Sequence, residues 1–272
     1  MQISLDTSNT PDSGRWYDHI WAALIFFTRL PFWRIYQPPQ EAYKTVVEHW
    51  PLAGWITGVA MGAVLYFGVE LVPYEIAIIL AIIVRLLITG ALHEDGLADF
   101  LDGFGGGGHD RQRILAIMKD SHIGTYGVIG LIVYFLLFFH VLHSMQPADA
   151  ALAIIAADPF AKMLSAQLIL MMPYARTEET AKNHTVYRKF DAKAGISLTI
   201  QGLLPIALFL YYIGTRVSWQ LLVFVPAVVM YVLYLLIWRR LHGYTGDCCG
   251  AVCLLTELAT LLTVCSCLNT LV

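Results

Sequence analysis

Five titratable side chains crowd into the stretch "ALHEDGLADFLDGFGGGGHD", residues 91–110: His93, Glu94, Asp95, Asp99 and Asp102. On a helix, Asp95, Asp99 and Asp102 stand at i, i+4 and i+7, one face spread over roughly 10 Å at 1.5 Å per residue. Three aligned carboxylates repel one another, so an isolated helix gains nothing from them. A divalent cation offsets that repulsion directly, and oxygen-only ligands select Mg²⁺, Mn²⁺ or Ca²⁺ over softer metals. The plain alternative is an acidic helix end dissolving into solvent, which has no need of such strict placement beside an apolar run.

Glycines follow the acids. Gly105, Gly106 and Gly107 are free to adopt positive φ, so their N–H groups can converge on an anion. The next segment, "RQRILAIMKDSHIGTYG", reads as an amphipathic helix carrying Arg111, Arg113 and Lys119 and ending at Asp120. Carboxylates for a metal, backbone N–H groups and basic side chains are the ingredients for holding a diphosphate. A flexible linker uses the same glycines for a different purpose. His93 and His109 suit either a ligand or proton-carrying role or an ordinary loop. In "GYTGDCCGA", Asp247 begins a helix, where a carboxylate caps the backbone or contacts a metal or hydroxyl. In "DPFAK", Asp158 and Lys162 are i, i+4 partners inside an apolar run, either a structural ion pair or a functional one.

The elements that must position these groups are set by composition. The chain of 272 residues is 58% hydrophobic and 14% charged, with a mean hydropathy of +0.64. A soluble domain is about 25% charged. The apolar residues fall in about seven runs, 55–72, 76–92, 126–143, 149–172, 196–213, 219–238 and 250–272, each near the ~20 residues a helix needs to cross a bilayer. The fold expected is all-α, a polytopic helical membrane protein of about seven transmembrane helices. Residues 15–35, aromatic-rich with charges at both ends, are expected to form an interfacial helix. Residues 1–14 are expected to be a disordered tail, and residues 15–272 one membrane-embedded catalytic domain. Of the 17 lysines and arginines, all but Arg85, Lys162 and Arg216 lie in segments on the amino-terminal side of the membrane. That bias places the amino terminus and the long loops in the cytoplasm, in the cytoplasmic membrane. The five cysteines crowd the last run and suit helix packing better than metal binding. The net charge of −3 says nothing about partners, and no basic aromatic surface suggests nucleic acid.

"FFTRLP", "HEDGLADFLDG", "ILAIMKDSHIGTYG", "PYAR" and "GYTGD-CGA" resemble, in chain order, the blocks of the cobalamin synthase family, adenosylcobinamide-GDP ribazoletransferases, from about residue 20 to 260. The resemblance implies a membrane enzyme that joins adenosylcobinamide-GDP to α-ribazole or its 5′-phosphate and releases GMP, using Mg²⁺. His93, Asp95, Asp99, Asp102, Asp120 and Asp247 match the family's polar motif positions. Mg²⁺ would then sit on Asp95, Asp99 and Asp102, and Asp120, Asp247 or His93 would accept the hydroxyl proton. Two positions depart from the family. Glu94 stands where an apolar residue is usual and is a further candidate metal ligand. Lys162 stands where an arginine is usual and replaces a bidentate phosphate clamp by a point charge. The implied partners are the two small-molecule substrates and membrane lipid, with homo-oligomerisation left open. Two rival classes remain: a CDP-alcohol phosphotransferase, whose Asp-rich pattern matches only in part, and a transporter, for which no convincing repeat is present.

Topology gives the first test. Reporters fused after residues 110, 185 and 245 are expected to report cytoplasm, and reporters after 146 or 216 the opposite side. Any of the first three appearing outside would separate the proposed site residues into different compartments.

Overall fold

A backbone in lipid must satisfy its own N–H and C=O groups, so apolar runs of membrane length become helices. The computed structural model describes residues 15–176 and 187–269; the tail expected at 1–14 lies outside them. In chain order the helices are α1 (Trp16–Phe27), α2 (Trp50–Gly68), α3 (Tyr74–Thr89), α4 (Leu92–Gly106), α5 (Arg111–Lys119), α6 (Thr125–His143), α7 (Pro147–Met171), α8 (Ala192–Ile213), α9 (Trp219–Leu241) and α10 (Gly246–Asn269). Six helical segments are long and apolar enough to cross a membrane, and the bent pair α3–α4 makes a seventh if counted as one span. The chain is a polytopic helical membrane protein.

Burial separates the centre from the rim. About 78% of the apolar window in α7 and 67% of that in α10 is buried, against 22% in α9. α7 and α10 are therefore the axis of the bundle. α6, α8 and α9 turn large apolar side chains such as Ile132, Leu208 and Phe224 outward, as a lipid-facing helix does. Small residues bring α2 against α7. Gly54, Gly58 and Gly62 form one stripe on α2, and a Cβ on Gly54 would lie 2.8 Å from the Pro159 Cα, while one on Gly58 would lie 3.2 Å from the Ile155 Cα. This is the small-residue packing that membrane helices use where lipid removes the hydrophobic drive for association.

The apolar run 76–92 leads straight into the acidic stretch, as one helix would. Instead it breaks, and α4 leaves α3 at 90°. Gly90 and Ala91 both take left-handed backbone, with φ of 64° and 56°. Glycine does so freely, whereas alanine does so at a cost of roughly 1–2 kcal/mol. The turn is held from outside: the Arg29 N–H donates to the Ile88 carbonyl at 2.6 Å, and the Arg29 side chain covers Gly90. The amino-terminal helix is also shorter than expected. α1 stops at Phe27, and Pro31 leads into a 3₁₀ turn at Phe32–Arg34.

Buried ions tie the bundle together below the turn. Arg85 donates from Nη1 to both carboxylate oxygens of Glu257, at 2.9 and 2.7 Å, and from Nη2 to the Tyr134 hydroxyl at 2.8 Å. Asp158 pairs with Lys162 and accepts from the Thr57 hydroxyl at 2.5 Å. Side-chain bonds also gather the loops at each end. Arg111 reaches the Leu241 and Ala175 carbonyls and Arg240 the Gly108 carbonyl. At the other end, Tyr74 bonds the Leu142 and Met145 carbonyls and Arg216 pairs with Asp149.

The α2–α7 contact yields a stability test. Gly54→Val is expected to destabilise the protein by on the order of 1–3 kcal/mol, because the added carbons meet the α7 backbone rather than a movable side chain. Thermal unfolding in detergent measures it, and an unchanged midpoint would mean the two helices are not in this contact.

Candidate functional site

Glycine meets glycine where α4 crosses α10. A Cβ on Gly96 would lie 3.2 Å from the Asp247 Cα, and one on Gly250 would lie 3.2 Å from the His93 carbonyl. With no side chain between the backbones, Asp95 on α4 and Asp247 at the start of α10 face the same cavity of about 140 Å³. His93, Tyr174, Arg176 and Tyr187 share its wall, with Phe26, Phe27 and Trp50 from the amino-terminal elements. The α10 amino end contributes Thr245 and Gly246, and a helix amino end favours negative charge.

Each polar group has a definite environment. Arg176 donates from Nη2 to the Leu115 carbonyl at 3.0 Å, while its Nε is buried and makes no hydrogen bond to the described residues. Burial pushes the Tyr174 phenol up to about 12, so at neutral pH it stays a neutral hydroxyl able to donate. The Tyr187 phenol is raised well above its usual range for the same reason. His93 is buried, and its Nε2 accepts from the Trp50 indole N–H at 3.3 Å. Indole nitrogen is only a donor, so the ring's own proton sits on Nδ1. That Nε2 is not open to act as a base.

Several residues chosen from the sequence stand elsewhere. Asp102 accepts from the backbone N–H groups of Gly124 and Gly127 at 2.7 and 2.8 Å; it caps the amino end of α6 instead of joining a metal triad. A Cβ on either glycine would lie 2.5 Å from that carboxylate. Glu94 is buried beside Arg85 at 3.4 Å, so its charge is drawn inward rather than to a metal. Asp99 is half-buried one turn along α4 from Asp95, outside the cavity wall. Among the described residues no group of three or more His, Cys, Asp or Glu is placed to hold a metal ion.

The basic half of the sequence reading is corrected as well. Gly105 and Gly106 lie inside α4, Gly107 closes it, and only Gly108 of this run has positive φ. Their bareness serves packing: a Cβ on Gly105 would lie 2.5 Å from the Tyr126 ring, and one on Gly107 would collide with Ile114. Arg111 is spent on backbone carbonyls of α9 and the α7 exit. Arg113 and Lys119 are exposed on α5, away from the cavity, and Lys162 is buried against Asp158. Asp120 is exposed and does not line the cavity. The His122 ring and backbone N–H hold its carboxyl below the usual range, which makes it a weaker base.

Sequence reasoning missed Arg176, Tyr174, Tyr187, Trp50 and Phe27. The signal for the first two was the "PYAR" block, one of the blocks that carry the family resemblance but not weighed as a site. The aromatic residues carried none, since aromatics are plentiful throughout a membrane chain.

Fold and site together define a helical membrane protein that gathers carboxylates, an arginine and aromatic rings around one cavity at a helix crossing. The family model described as cobalamin-5-phosphate synthase matches residues 19–265. The chain belongs to that family. An adenosylcobinamide-GDP ribazoletransferase of Vibrio parahaemolyticus is 36% identical over 89% of this chain and 89% of its own length. One of Leptospira interrogans is 33% identical over 87% of this chain and 91% of its own. No solved structure matches.

The geometry separates the two ends of the acidic face. Asp102→Ala is expected to lower stability by about 2 kcal/mol or more, since two buried N–H groups lose a charged acceptor. Asp95→Ala, at the cavity, is expected to leave the unfolding midpoint almost unchanged. Equal midpoints for the two variants would contradict the cap.

Proposed function

We propose that the chain is an adenosylcobinamide-GDP ribazoletransferase, joining adenosylcobinamide-GDP to α-ribazole or its 5′-phosphate with release of GMP. The observation that carries the reading is the cavity at the α4–α10 crossing. It gathers two carboxylates, Asp95 and Asp247, and Arg176, whose buried Nε lacks a hydrogen-bond partner among the described residues. A diphosphate supplies the missing acceptor. Guanidinium is well suited to it because its planar fork matches phosphate oxygens.

A ribose hydroxyl oxygen attacks the phosphorus joined to cobinamide, the bond from that phosphorus to GMP breaks, and GMP leaves with the bridging oxygen. The Asp247 carboxylate takes the hydroxyl proton. Arg176 and the α10 amino end hold the phosphates, and the neutral Tyr174 hydroxyl donates to them. The oxygen donors present fit Mg²⁺, which usually takes one or two protein carboxylates and completes its shell with substrate phosphate and water. Asp95 would hold it, with Asp99 a turn away, and it would neutralise the diphosphate and the leaving phosphate. The near-absence of Lys and Arg from the other end of the bundle supports placing this cavity at the cytoplasmic face of the cytoplasmic membrane.

Purified protein in liposomes is expected to release GMP only when both substrates are present, and a chelator is expected to stop it. Arg176→Lys should lower kcat/KM for the GDP-bearing substrate on the order of a hundredfold. Cleavage of a CDP-alcohol with release of CMP, or substrate flux without GMP, would overturn the reading.

A further inference from the structure

Phe27, Trp50 and His93 come from the end of α1, the start of α2 and the start of α4. Their rings nevertheless lie within 14° of parallel, with Phe27 and Trp50 centroids 5.0 Å apart and Trp50 and His93 centroids 5.7 Å apart. Core aromatics pack equally well edge to face, and most aromatic pairs in this protein do so. A common orientation of three rings from three elements, all on the wall of one cavity, is the form of a stacking platform for a flat ligand.

The three rings and aliphatic side chains make up that side of the wall. The Trp50 N–H on that side is occupied, since it donates to His93 Nε2, and the His93 Nδ1–H is the polar group these rings keep. Val47, Leu92 and Ile169 complete that side. Guanine would press its N–H groups and carbonyl against rings and aliphatic side chains that offer them few partners, which buried polar groups resist. A base with no N–H and no carbonyl, as in the alkylated benzimidazole of α-ribazole, brings a single ring-nitrogen acceptor and loses less there.

We infer that the Phe27–Trp50–His93 stack seats the base of the nucleoside acceptor, with the ribose directed to the Asp95 and Asp247 end of the same cavity. The inference rests on the transferase reading above. It makes Phe27 and Trp50 residues that set acceptor specificity without touching the reacting atoms, and it leaves the guanosine of the donor outside the stack.

Phe27→Leu is expected to raise KM for α-ribazole roughly tenfold, the scale of one stacking contact. Its kcat and its KM for adenosylcobinamide-GDP should stay within about twofold, because only ground-state binding of the acceptor is touched. The wild-type protein in detergent gives an independent reading. α-Ribazole alone should slow amide exchange across residues 24–28 and 47–52, and GMP at equal saturation should not. Protection there by GMP, protection by neither compound, or a KM effect confined to the GDP-bearing substrate would overturn the inference while GMP release persists. Failure of the wild-type protein to release GMP at all would instead remove the transferase reading.

Discussion

The protein depends on one close approach, Gly96 of α4 against Gly250 of α10. A Cβ at either position would meet the facing backbone at 3.2 Å, too close for the two helices to keep this approach without giving way, and Asp95 and Asp247 line one cavity on either side of it. The approach is reachable only because α4 leaves α3 at a right angle. Left-handed backbone at Gly90 and Ala91, held by Arg29, makes that turn. A straight helix would carry the acidic residues away from α10 and leave them a solvated tail.

Charge has two uses in this bundle, and the structure separates them by depth. Arg85 with Glu257 and Asp158 with Lys162 are buried ion pairs among α2, α3, α7 and α10. Removing one partner of such a pair leaves an uncompensated buried charge, so these groups fix which helices are neighbours. Asp95, Asp247 and Arg176 stand around the cavity, where a phosphate-bearing ligand would accept from the Arg176 guanidinium. Glu94 and Asp102 belong to the first group although they sit in sequence among the second. Glu94 turns inward to Arg85, and Asp102 holds the amino end of α6.

Helix positions were legible because lipid permits few structures and the apolar runs are long. The i, i+4, i+7 spacing also held, since α4 is a helix across all three aspartates. What spacing cannot convey is where the partner of each carboxylate lies. Asp102 finds its donors in Gly124 and Gly127, more than twenty residues on, and a run of glycines gives the same letters whether it cradles an anion or admits Tyr126 and Ile114. Arg176 was passed over for a related reason. It looks like any basic residue at the end of a membrane helix until the fold places it on the same cavity wall as Asp95 and Asp247.

The central claim is that the phosphates of the donor bind at the α4–α10 crossing. The most direct measurement is a structure of the full chain in lipid nanodiscs with the GDP-bearing substrate bound. The account predicts diphosphate density in contact with the Arg176 guanidinium and the amino end of α10, bordered by Asp95. Density beside Arg113 and Lys119 on α5, with the cavity unfilled, would contradict it.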